Sequence, residues 1–367
     1  MKKVLCTTII LATFSSVGHS ASNNNIITYP DFQINAPLRV RSAGDTLRIL
    51  AIDGGGERGI IPAIVMDEFE KRTGKPISAS FDLIVGTSAG AFNAAFLTKK
   101  NPLKANEPAY LASDLVKFYE NNMNGLFSNT LLHKITSGFG YWGTRYPSTN
   151  FSNSIQPYFS DMKLSQTRTP VLLEAWDIGN SQLHSFTTKK AINSFDNETE
   201  NCLLWKAIAA SMAYPAGFAP EKIGNGYYVD GSMAVKNPSI CGIIEGQNML
   251  REENSACEPR KKIRLVSIGT GNASYPLADA ALDNEGMLQL VVPVVSLLSK
   301  GQDELSKSAT EAFFYGMESS YTRLDAPIDA FHWVSDDVSV DMKNYLKAKA
   351  KNIIDSKEFQ NLCDELK

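Results

Sequence analysis

A serine flanked by glycines is the feature of this sequence with the clearest chemistry. Ser88 lies in Gly86-Thr87-Ser88-Ala89-Gly90, after the mainly apolar run 81–85 and before the helix-like segment 91–96. A strand that turns sharply into a helix exposes such a hydroxyl, and glycines at Gly86 and Gly90 leave room for a substrate carbonyl. The pattern predicts acyl transfer with Ser88 as the nucleophile.

A glycine run upstream could hold the anion that acyl transfer creates. It follows the strand-like segment 47–52, precedes a helical pattern that starts near residue 60, and contains Arg58. Backbone N–H groups at a helix N-terminus, with the positive end of the helix dipole, stabilise a tetrahedral oxyanion. Arg58 is expected to support the site as a structural or anion-orienting residue. The predicted oxyanion hole consists of Gly54, Gly55 and Gly56.

A serine hydroxyl needs a base, and the best candidate is an aspartate. Asp230 ends the strand-like run 227–229, and Gly231 allows the turn and close approach that a base near Ser88 requires. Partial burial would raise the pKa of Asp230 toward the working range. Asp53, before the glycine run, is expected to order the loop instead. None of the histidines lies in a recognisable strand-end motif; they are His19, His133, His184 and His332.

Together these motifs resemble the patatin-like phospholipases, which combine Asp-Gly-Gly-Gly-x-Arg-Gly, a Gly-x-Ser-x-Gly elbow and a later Asp-Gly-Gly or Asp-Gly-Ala. The three elements occur here in that order, and the resemblance runs from about Leu47 to Ala330. It includes the segments 210–215, 237–238 and 263–271. Ser232 departs from the usual Gly or Ala, but its hydroxyl is small and could hydrogen-bond the carboxylate.

The resemblance implies a lipid acyl hydrolase of the phospholipase A or lysophospholipase type. It would cleave carboxylic esters through a Ser88–Asp230 dyad and an acyl-enzyme, with no metal and no other cofactor. Its substrates would be membrane lipids or lipid aggregates, which allows peripheral contact with a membrane. The residues do not identify a protein activator.

The order of elements predicts how these residues are positioned. Strand and helix alternate from residue 47, the first helix ending near 74–76 and the elbow helix near 99–102. Such alternation favours a parallel sheet, so the expected fold is a three-layer α/β/α architecture with a mainly parallel central sheet. We expect an extended leader over 21–44, a catalytic domain over 45–330 and a C-terminal helical extension over 331–367 packed on it.

The N-terminus has the outline of a secretory signal peptide. Lys2 and Lys3 precede the apolar stretch 4–14, and small residues lead to a cleavage site after Ser20. The predicted location is therefore secreted or periplasmic. The alternative is an uncleaved N-terminal anchor. Export would leave four cysteines that form two disulfides or remain isolated buried thiols; they are Cys202, Cys241, Cys257 and Cys363.

Composition excludes several kinds of partner. The chain has 367 residues, 43% of them hydrophobic and 20% charged, with a formal net charge of −3. This balance is typical of a globular protein and gives no basic excess for nucleic acid. Any attraction to an anionic membrane must then come from a local surface patch rather than from the net charge.

Two segments have two interpretations each. Segment 121–157 forms either a cap over the site or a loop packed on the protein body. The C-terminal helix has a face that is either solvated or in contact with anionic lipid headgroups; that face carries Lys343, Lys347 and Lys351.

Three other interpretations use the same residues. Gly54-x-Gly56-x-x-Gly59 also fits a dinucleotide-binding loop, but that fingerprint expects an acidic residue at the end of the second strand. A lipid- or partner-binding protein could keep the fold without the chemistry. An esterase could use Asp230 to orient His332 in a Ser-Asp-His triad.

Overall fold

The computed structural model describes residues 46–104, 107–137, 143–215, 217–253, 262–273, 287–329, 332 and 336–367, with the backbone alone for 253, 273 and 287–296. The predicted signal peptide and leader, and Cys257, lie outside these residues. Among the described helices, none is both long enough and apolar enough to cross a membrane.

Strands and helices alternate through the first half of the described chain. The strands are β1 (Thr46–Ile52), β2 (Leu83–Thr87), β3 (Val171–Asp177), β4 (Gln182–Thr187), β5 (Glu221–Ile223), β6 (Gly226–Asp230), β7 (Lys262–Ile268), β8 (Asn272–Ala273), β9 (Ser320–Leu324) and β10 (Pro327–Ile328). The helices before β3 are α1 (Ile60–Thr73), α2 (Ile77–Ser80), α3 (Ala89–Thr98), α4 (Ala112–Asn121), α5 (Met123–Leu126), α6 (Leu131–Thr136), α7 (Thr149–Ser154) and α8 (Gln156–Phe159). The later helices are α9 (Thr188–Asn193), α10 (Leu204–Met212), α11 (Ser239–Glu253), α12 (Met287–Phe314), α13 (Val340–Ile354) and α14 (Lys357–Leu366).

One mixed, mostly parallel sheet organises the fold. Its order is β5-β6-β3-β2-β1-β7-β9, and β4 also pairs with β3. Strands β3, β2, β1, β7 and β9 run parallel to one another, whereas β4 and β6 pair antiparallel with β3 and β5 pairs antiparallel with β6. Because β1 and β2 are parallel neighbours, the loops after both open at one edge of the sheet. The elbow and the glycine run therefore come together.

The two faces of β1 bury different helices, which makes the fold three-layered. Leu50 and Ile52 belong to one buried cluster with residues of α1, α3 and α10, whereas Ile49 and Ala51 face a second cluster with residues of α11. Alternate residues of a strand point to opposite faces, so a strand covered on both faces reads as a continuous apolar run. The predicted α/β/α class and mainly parallel sheet are confirmed.

The segment after α4 packs on the protein body as short helices. Phe127, Tyr146 and Phe151 each have a ring within 6.3 Å of the Phe218 ring, measured between centroids. These contacts favour the packed-loop alternative for the described part of 121–157. Residues 138–142 lie outside the described part.

The C-terminal helices are part of the packed body. Leu346 and Phe359 are buried in the larger core cluster, and Arg264 of β7 forms two 2.8 Å contacts with Glu365. Apolar side chains of α13 and α14 thus share the larger core cluster with α1 and α3. The thiols of Cys202, Cys241 and Cys363 are free and buried.

The lysine face of α13 is only partly open to solvent. Lys343 is only 8% exposed, and its ammonium donates to Glu120 O at 3.2 Å and to Asn124 Oδ1 at 3.1 Å. Lys347 pairs with Glu120 at 2.6 Å, and Lys351 pairs with Asp355 just after the helix. Lys343 is thus unavailable to a lipid headgroup, whereas the side chains of Lys347 and Lys351 are 42% and 71% exposed.

Candidate active site

The elbow at Ser88 has a strained backbone. Strand β2 ends at Thr87 and α3 begins at Ala89, so Ser88 alone joins them, with φ 53° and ψ −122°. A positive φ is unfavourable for a residue with a side chain and persists only where surrounding packing enforces it. The strain directs the Ser88 side chain away from both elements. Such an arrangement is typical of a nucleophile elbow.

Close packing explains the glycines on both sides of the elbow. A Cβ on Gly86 would lie 2.2 Å from the carbonyl oxygen of Gly90, and a Cβ on Gly90 would lie 2.1 Å from the carbonyl oxygen of Ile52. No side chain fits at those distances. The two positions therefore bring β1, β2 and α3 into direct backbone contact beneath Ser88.

Asp230 lies within hydrogen-bond distance of Ser88. The Ser88 hydroxyl donates to Asp230 Oδ2 at 2.6 Å, and the Ser232 amide donates to Asp230 Oδ1 at 2.7 Å. Ser88 is 6% exposed and Asp230 is 2% exposed. The carboxylate is thus held by Ser88 and Ser232, and no described cation is bonded to it. The unusual Ser232 stabilises the carboxylate through its backbone amide and also through its side chain.

Burial gives Asp230 the proton affinity of a base. Desolvation raises the pKa of Asp230 to about 6, although hydrogen bonds from Ser88 and Ser232 oppose the rise. The carboxylate is still mostly ionised at pH 7, yet it binds a proton far better than a solvated aspartate does. This environment suits a group that accepts the Ser88 proton.

Ser211 holds the elbow from the other side, a role that sequence reasoning missed. The Ser88 amide donates to Ser211 Oγ at 2.9 Å, and the Ser211 hydroxyl donates to Glu174 O at 2.5 Å. Gly231 packs on the same carbonyl, since a Cβ there would lie 2.3 Å from Glu174 O. The sequence did contain a signal for this role: Ser211 lies in the segment 210–215, which is part of the family resemblance but was assigned no function of its own. Ser211 therefore links Ser88 to β3.

The glycine loop lies against the dyad but uses one of its amides internally. A Cβ on Gly54 would lie 3.2 Å from Ser88 Cβ and 2.5 Å from Ser232 Oγ, so the loop approaches both closely. The Gly54 amide donates to Lys236 O at 3.0 Å, and Thr270 Oγ1 donates to Gly54 O at 2.7 Å. These bonds fix the loop and occupy the Gly54 donor.

Gly55 and Gly56 remain as donors. Among the described residues, no acceptor is bonded to either amide; Gly55 directly precedes the short 3₁₀ turn Gly56–Gly59 that leads into α1, and Gly56 begins it. Gly56 has φ 58°, a conformation that favours glycine. Two unpaired amides at the start of a helical segment form an anion-binding geometry. The oxyanion prediction thus rests on Gly55 and Gly56 rather than on all three glycines.

Asp53 forms the centre of a different buried group. Its carboxylate accepts two hydrogen bonds from Arg323, at 2.8 and 2.6 Å. Arg323 Nη2 also lies 2.9 Å from Asp325 and 3.7 Å from Asp303. The three carboxylates would otherwise be near enough to bind a cation, but the guanidinium lies among them. Burial raises the pKa of Asp53 to about 6, and Arg323 opposes that rise.

The dinucleotide alternative has no support from the strand next to the glycine loop. In that fingerprint an acidic side chain at the end of the second strand binds the ribose. Here β2 ends at Thr87 and continues into Ser88. Asp53 precedes the glycines and is occupied by Arg323. The loop geometry instead serves the elbow beside it.

Two cations flank the glycine loop. Arg58 is 8% exposed, and its Nε donates to Gly55 O at 3.3 Å. Burial lowers the pKa of Arg58 to about 10. Lys236, whose carbonyl binds Gly54, also has a lowered pKa, because of burial first and then because of Arg58. The loop thus has positive charge beside it.

Glu57 is a further buried group in the loop. It is fully buried, and neither carboxylate oxygen has a hydrogen-bond partner. Its closest cation is Lys343 of α13, 3.8 Å from Oε1. Burial raises the pKa of Glu57 to about 8 despite Lys343. The side chain is therefore mostly protonated at pH 7, which places no full negative charge next to Gly56.

The described histidines are engaged away from the dyad. His332 Nδ1 lies 2.6 Å from Asp329 Oδ1, and the His332 ring stacks on Tyr345 with centroids 3.7 Å apart. His184 packs between aromatic rings of β4 and β6, and His133 Nε2 contacts Thr144 O. His19 lies outside the described residues. The described partners of the Asp230 carboxylate are hydroxyl and amide groups of two serines.

Comparisons with known proteins agree with this geometry. The profile of the patatin-like phospholipase family matches residues 50–239, just over half of the chain, and includes the glycine loop, the elbow and Asp230. Patatin-like protein 2 of rice, Oryza sativa subsp. indica, is 30% identical over 259 residues, which are 64% of each chain. The aligned part therefore spans less than two thirds of that relative.

Other relatives cover more of the chain. Patatin-like protein 2 of Arabidopsis thaliana is 27% identical over 324 residues, 79% of this chain and 78% of its own. A potato protein, Solanum tuberosum probable inactive patatin-3-Kuras 1, is 25% identical over 75% of this chain and 77% of its own. The crystal structure of VipD from Legionella pneumophila covers 85% of this chain and 67% of that one, at 12% identity and a TM-score of 0.43. On the match over residues 50–239, this chain belongs to the patatin-like phospholipase family.

Proposed function

We propose that this protein hydrolyses carboxylic esters of lipids with Ser88 as nucleophile and Asp230 as general base. The observation that carries the proposal is the 2.6 Å hydrogen bond from the Ser88 hydroxyl to Asp230 Oδ2 at a strained elbow. A nucleophile bonded to a base whose pKa lies near the working pH is the arrangement that acyl transfer requires.

The reaction would proceed in two halves. Ser88 Oγ attacks the ester carbonyl carbon while its proton passes to Asp230, and the tetrahedral intermediate collapses when Asp230 returns the proton to the leaving alcohol. The product is an acyl ester on Ser88. Water then attacks this ester with Asp230 again as base, and the fatty acid leaves as Ser88 recovers its proton.

The oxyanion of both intermediates would bind the amides of Gly55 and Gly56. The amides of Ser88 and Gly54 have internal acceptors, Ser211 Oγ and Lys236 O. Two preorganised donors in a largely buried site can lower the barrier by several kcal/mol, since each is worth roughly 3 kcal/mol. Neutral Glu57 favours the same state, because an anion beside Gly56 would oppose the oxyanion.

An inactive lipid-binding protein of the same fold is the second candidate. The potato relative named as probably inactive motivates it. This chain retains Ser88, Asp230 and the glycine loop, and their contacts support chemistry. Absence of lipid ester hydrolysis by the wild-type protein would favour the binding role.

The decisive experiment is product analysis with purified protein on mixed phospholipid and lysophospholipid vesicles. Wild type is compared with Ser88→Ala and Asp230→Asn, and free fatty acid and lysolipid isomers are resolved. Release by the wild type alone supports the dyad and gives the acyl position. Substantial release by either variant contradicts the assignment. No release by any protein favours the binding role, which lipid co-purification then tests.

An apolar surface on α6 would bring the site to lipid. Leu131, Leu132 and Ile135 are 71%, 73% and 60% exposed. His133 of this helix contacts Thr144 O. Two residues further on, the Tyr146 amide donates to Gly217 O and the Tyr146 ring packs on Phe218. Both residues lie in the loop after α10, in which Ala213 O accepts a hydrogen bond from the Asp230 amide. Inserting such side chains into a bilayer contributes roughly 1.5 to 3 kcal/mol each.

Vesicle flotation tests this contact. Leu132→Ser with Ile135→Ser is expected to weaken binding to phosphatidylcholine vesicles at least about tenfold. Leu103→Ser is the matched control, because Leu103 is 89% exposed in a different loop. Equal losses in both proteins would mean that α6 has no special part.

Export is also a proposal, supported by the charged and apolar pattern of residues 1–20. Expression with the native N-terminus, followed by N-terminal sequencing of the exported fraction, tests it. A mature protein that begins at Ala21 is the expected result. An intact N-terminus on membranes would indicate the uncleaved anchor.

A further inference from the structure

Glu57 occupies the variable position of the glycine-run motif and is buried without a hydrogen bond. It directly follows Gly56, is fully buried, and has no hydrogen-bond partner for either carboxylate oxygen in the described part of the chain. A buried carboxyl group without a partner destabilises a fold, so its presence calls for an explanation. The proposed mechanism uses the amides of Gly55 and Gly56 and gives this carboxyl group no part beyond being neutral at pH 7.

The cation next to Glu57 comes from the C-terminal helices. Lys343 Nζ of α13 lies 3.8 Å from Glu57 Oε1, within ion-pair distance but too far for a hydrogen bond. The ammonium instead donates to Glu120 O at 3.2 Å and to Asn124 Oδ1 at 3.1 Å. Glu120 lies in the last turn of α4, where carbonyl groups lack helical partners and the helix dipole is negative. Acceptors on α4 and α5 therefore hold the ammonium beside the carboxyl group.

The short turn that contains Glu57 is fixed on either side by other groups. Arg58 Nε donates to Gly55 O at 3.3 Å, just before the turn. Asn93 Nδ2 of α3 donates to Gly59 O at 3.0 Å, at the end of the turn. Glu57 lies between these contacts and supplies the ionic contact with α13. A change in α13 can therefore reach the glycine loop through Glu57.

Covalent geometry keeps this carboxyl group near the oxyanion donors. Because Glu57 directly follows Gly56, its carboxyl group lies within about 10 Å of the Gly56 amide nitrogen in any rotamer. At an effective dielectric constant of about 20, a unit negative charge at that distance destabilises an oxyanion roughly tenfold. Neutral Glu57 has no such effect. The charge state of Glu57 therefore sets how well the amides of Gly55 and Gly56 stabilise an anion.

The groups that face Glu57 determine this charge state. Burial raises the pKa of Glu57 to about 8, Lys343 opposes the rise, and Asp337, which precedes α13, adds to it. Tyr119 of α4 stays protonated, because burial and the charge of Glu57 raise its pKa well above the ordinary value. Its hydroxyl donates to Asn93 Oδ1 at 2.8 Å. Glu57 is therefore mostly neutral at pH 7 and gains its charge above about pH 8, with Lys343 favouring the charged form.

We propose that Lys343 is a positioning residue that acts through Glu57, so that α13 controls the oxyanion donors of the glycine loop. The inference rests on the proposed function, because it assigns the regulation of the same site. Ionisation of Glu57 strengthens its attraction to Lys343 across the present 3.8 Å and places a negative charge beside Gly56. Protonation removes both effects. Hydrolysis thus declines at alkaline pH, and Lys343 sets the pH of the decline.

The first test measures kcat for fatty acid release from the mixed phospholipid and lysophospholipid vesicles between pH 6 and about pH 9.5. Wild type should lose about tenfold of kcat as Glu57 ionises above about pH 8. Glu57→Gln keeps the shape of the side chain and cannot ionise, so it should stay within about threefold of wild type at pH 7 and show no such loss. Lys343→Met should move the loss to higher pH, because the cation that favours ionised Glu57 is gone.

Three further variants make the test specific. Lys347→Met is the matched control, because Lys347 lies one turn further along α13 and pairs with Glu120; it should keep the wild-type profile. Lys343→Arg retains a cation and should keep the loss nearer the wild-type pH. Glu57→Gln combined with Lys343→Met should match Glu57→Gln alone, because Lys343 acts through Glu57. An alkaline loss that persists in Glu57→Gln, or equal profiles for Lys343→Met and Lys347→Met, would overturn the proposal.

Urea unfolding tests the contact between Glu57 and Lys343 without using activity. The folded-state pKa of Glu57 is raised from 4.5 to about 8, so its ionisation destabilises the fold; the effect is absent below about pH 4.5 and complete above about pH 8. The stability gained by Glu57→Gln should therefore grow with pH and level off near pH 8. With Lys343→Met as the starting protein, the gain should continue to grow above pH 8.

The two measurements separate this inference from the proposed function. No hydrolysis by the wild type, or hydrolysis that persists in Ser88→Ala, contradicts the proposed function and leaves unfolding to decide on Lys343. A gain from Glu57→Gln that does not depend on pH, or that levels off at the same pH with and without Lys343, overturns the inference and leaves Ser88 and Asp230 in their roles.

Discussion

Asp53 and Asp230 look alike in sequence and differ in what surrounds them. Asp53 directly follows β1 and Asp230 ends β6; each precedes glycine, each is buried, and burial raises the pKa of each to about 6. Asp53 is held by the guanidinium of Arg323, whereas Asp230 has a hydroxyl and an amide. A carboxylate locked in two bonds to arginine orders structure. One bonded to an activatable hydroxyl is free to accept a proton.

The comparison also shows why the sequence alone could separate them only in part. Asp230 was identified because Gly231 follows it late in the chain and because the family resemblance includes that pair. The partner that fixes the role of Asp53 is Arg323, 270 residues away on β9, and no local pattern announces it. Pairing between distant strands decides this contact.

Local sequence motifs predicted the strands and the elbow better than they predicted the contacts between buried groups. Apolar runs ending in glycine located β1, β2 and the elbow, because strand burial and turn sterics act over a few residues. Ser211 was missed as a support for Ser88, since its hydroxyl acts across 123 residues. The Gly54 amide is not available as an oxyanion donor because it is bonded to Lys236 O, and this contact too exists only in the folded chain. The burial of Lys343 on α13 could not be predicted, because spacing shows which residues share a helix face but not what covers that face.

The sharpest test replaces each aspartate by asparagine. Asp230→Asn is expected to lower kcat/KM for lipid ester hydrolysis by about 10³ to 10⁴, because the base is lost while its shape is kept. Asp53→Asn should remain within about tenfold of wild type, because it alters only a supporting contact. Steady-state release of fatty acid at pH 7.5 measures both. Similar losses in the two variants would remove the distinction between base and scaffold.

Removing the arginine tests the scaffold side directly. Arg323→Met leaves Asp53, Asp303 and Asp325 close together without their central cation, and breaking a buried pair in this way costs about 3 to 5 kcal/mol. Urea unfolding at pH 7 should show this loss of stability. Arg264→Met is the control, because Arg264 pairs with the half-exposed Glu365 and its loss should cost less. An unfolding free energy equal to that of the control would contradict the structural role.

Stability should change in opposite directions at the two aspartates. The folded-state pKa of Asp230 is raised from 3.8 to about 6, so ionisation of this carboxylate destabilises the fold. The destabilisation is absent below about pH 4 and complete above about pH 6. Asp230→Asn removes this cost and should stabilise the fold at pH 7.5 by roughly 1 to 3 kcal/mol, with little gain at pH 4. Asp53→Asn should instead destabilise the fold, although the pKa of Asp53 is also raised, because the buried Arg323 guanidinium loses both of its charged acceptor oxygens on Asp53 and this loss outweighs the relieved desolvation. Urea titrations at both pH values decide, and a loss of stability in Asp230→Asn would mean that the carboxylate is structural after all.

The smallest expected effect concerns the histidine that could have made Asp230 an orienting group instead of a base. His332→Ala should change kcat by less than about twofold, because the imidazole contacts Asp329 and Tyr345 and its removal leaves Ser88 and Asp230 bonded. In the same variant the acidic limb of the kcat/KM profile should stay near pH 6, since it reports Asp230 in the free enzyme. Loss of several thousandfold, with the limb displaced, would make His332 the base and Asp230 its partner. If Ser88 and Asp230 act without a histidine, the pH profiles of kcat/KM for wild type and His332→Ala should be nearly identical.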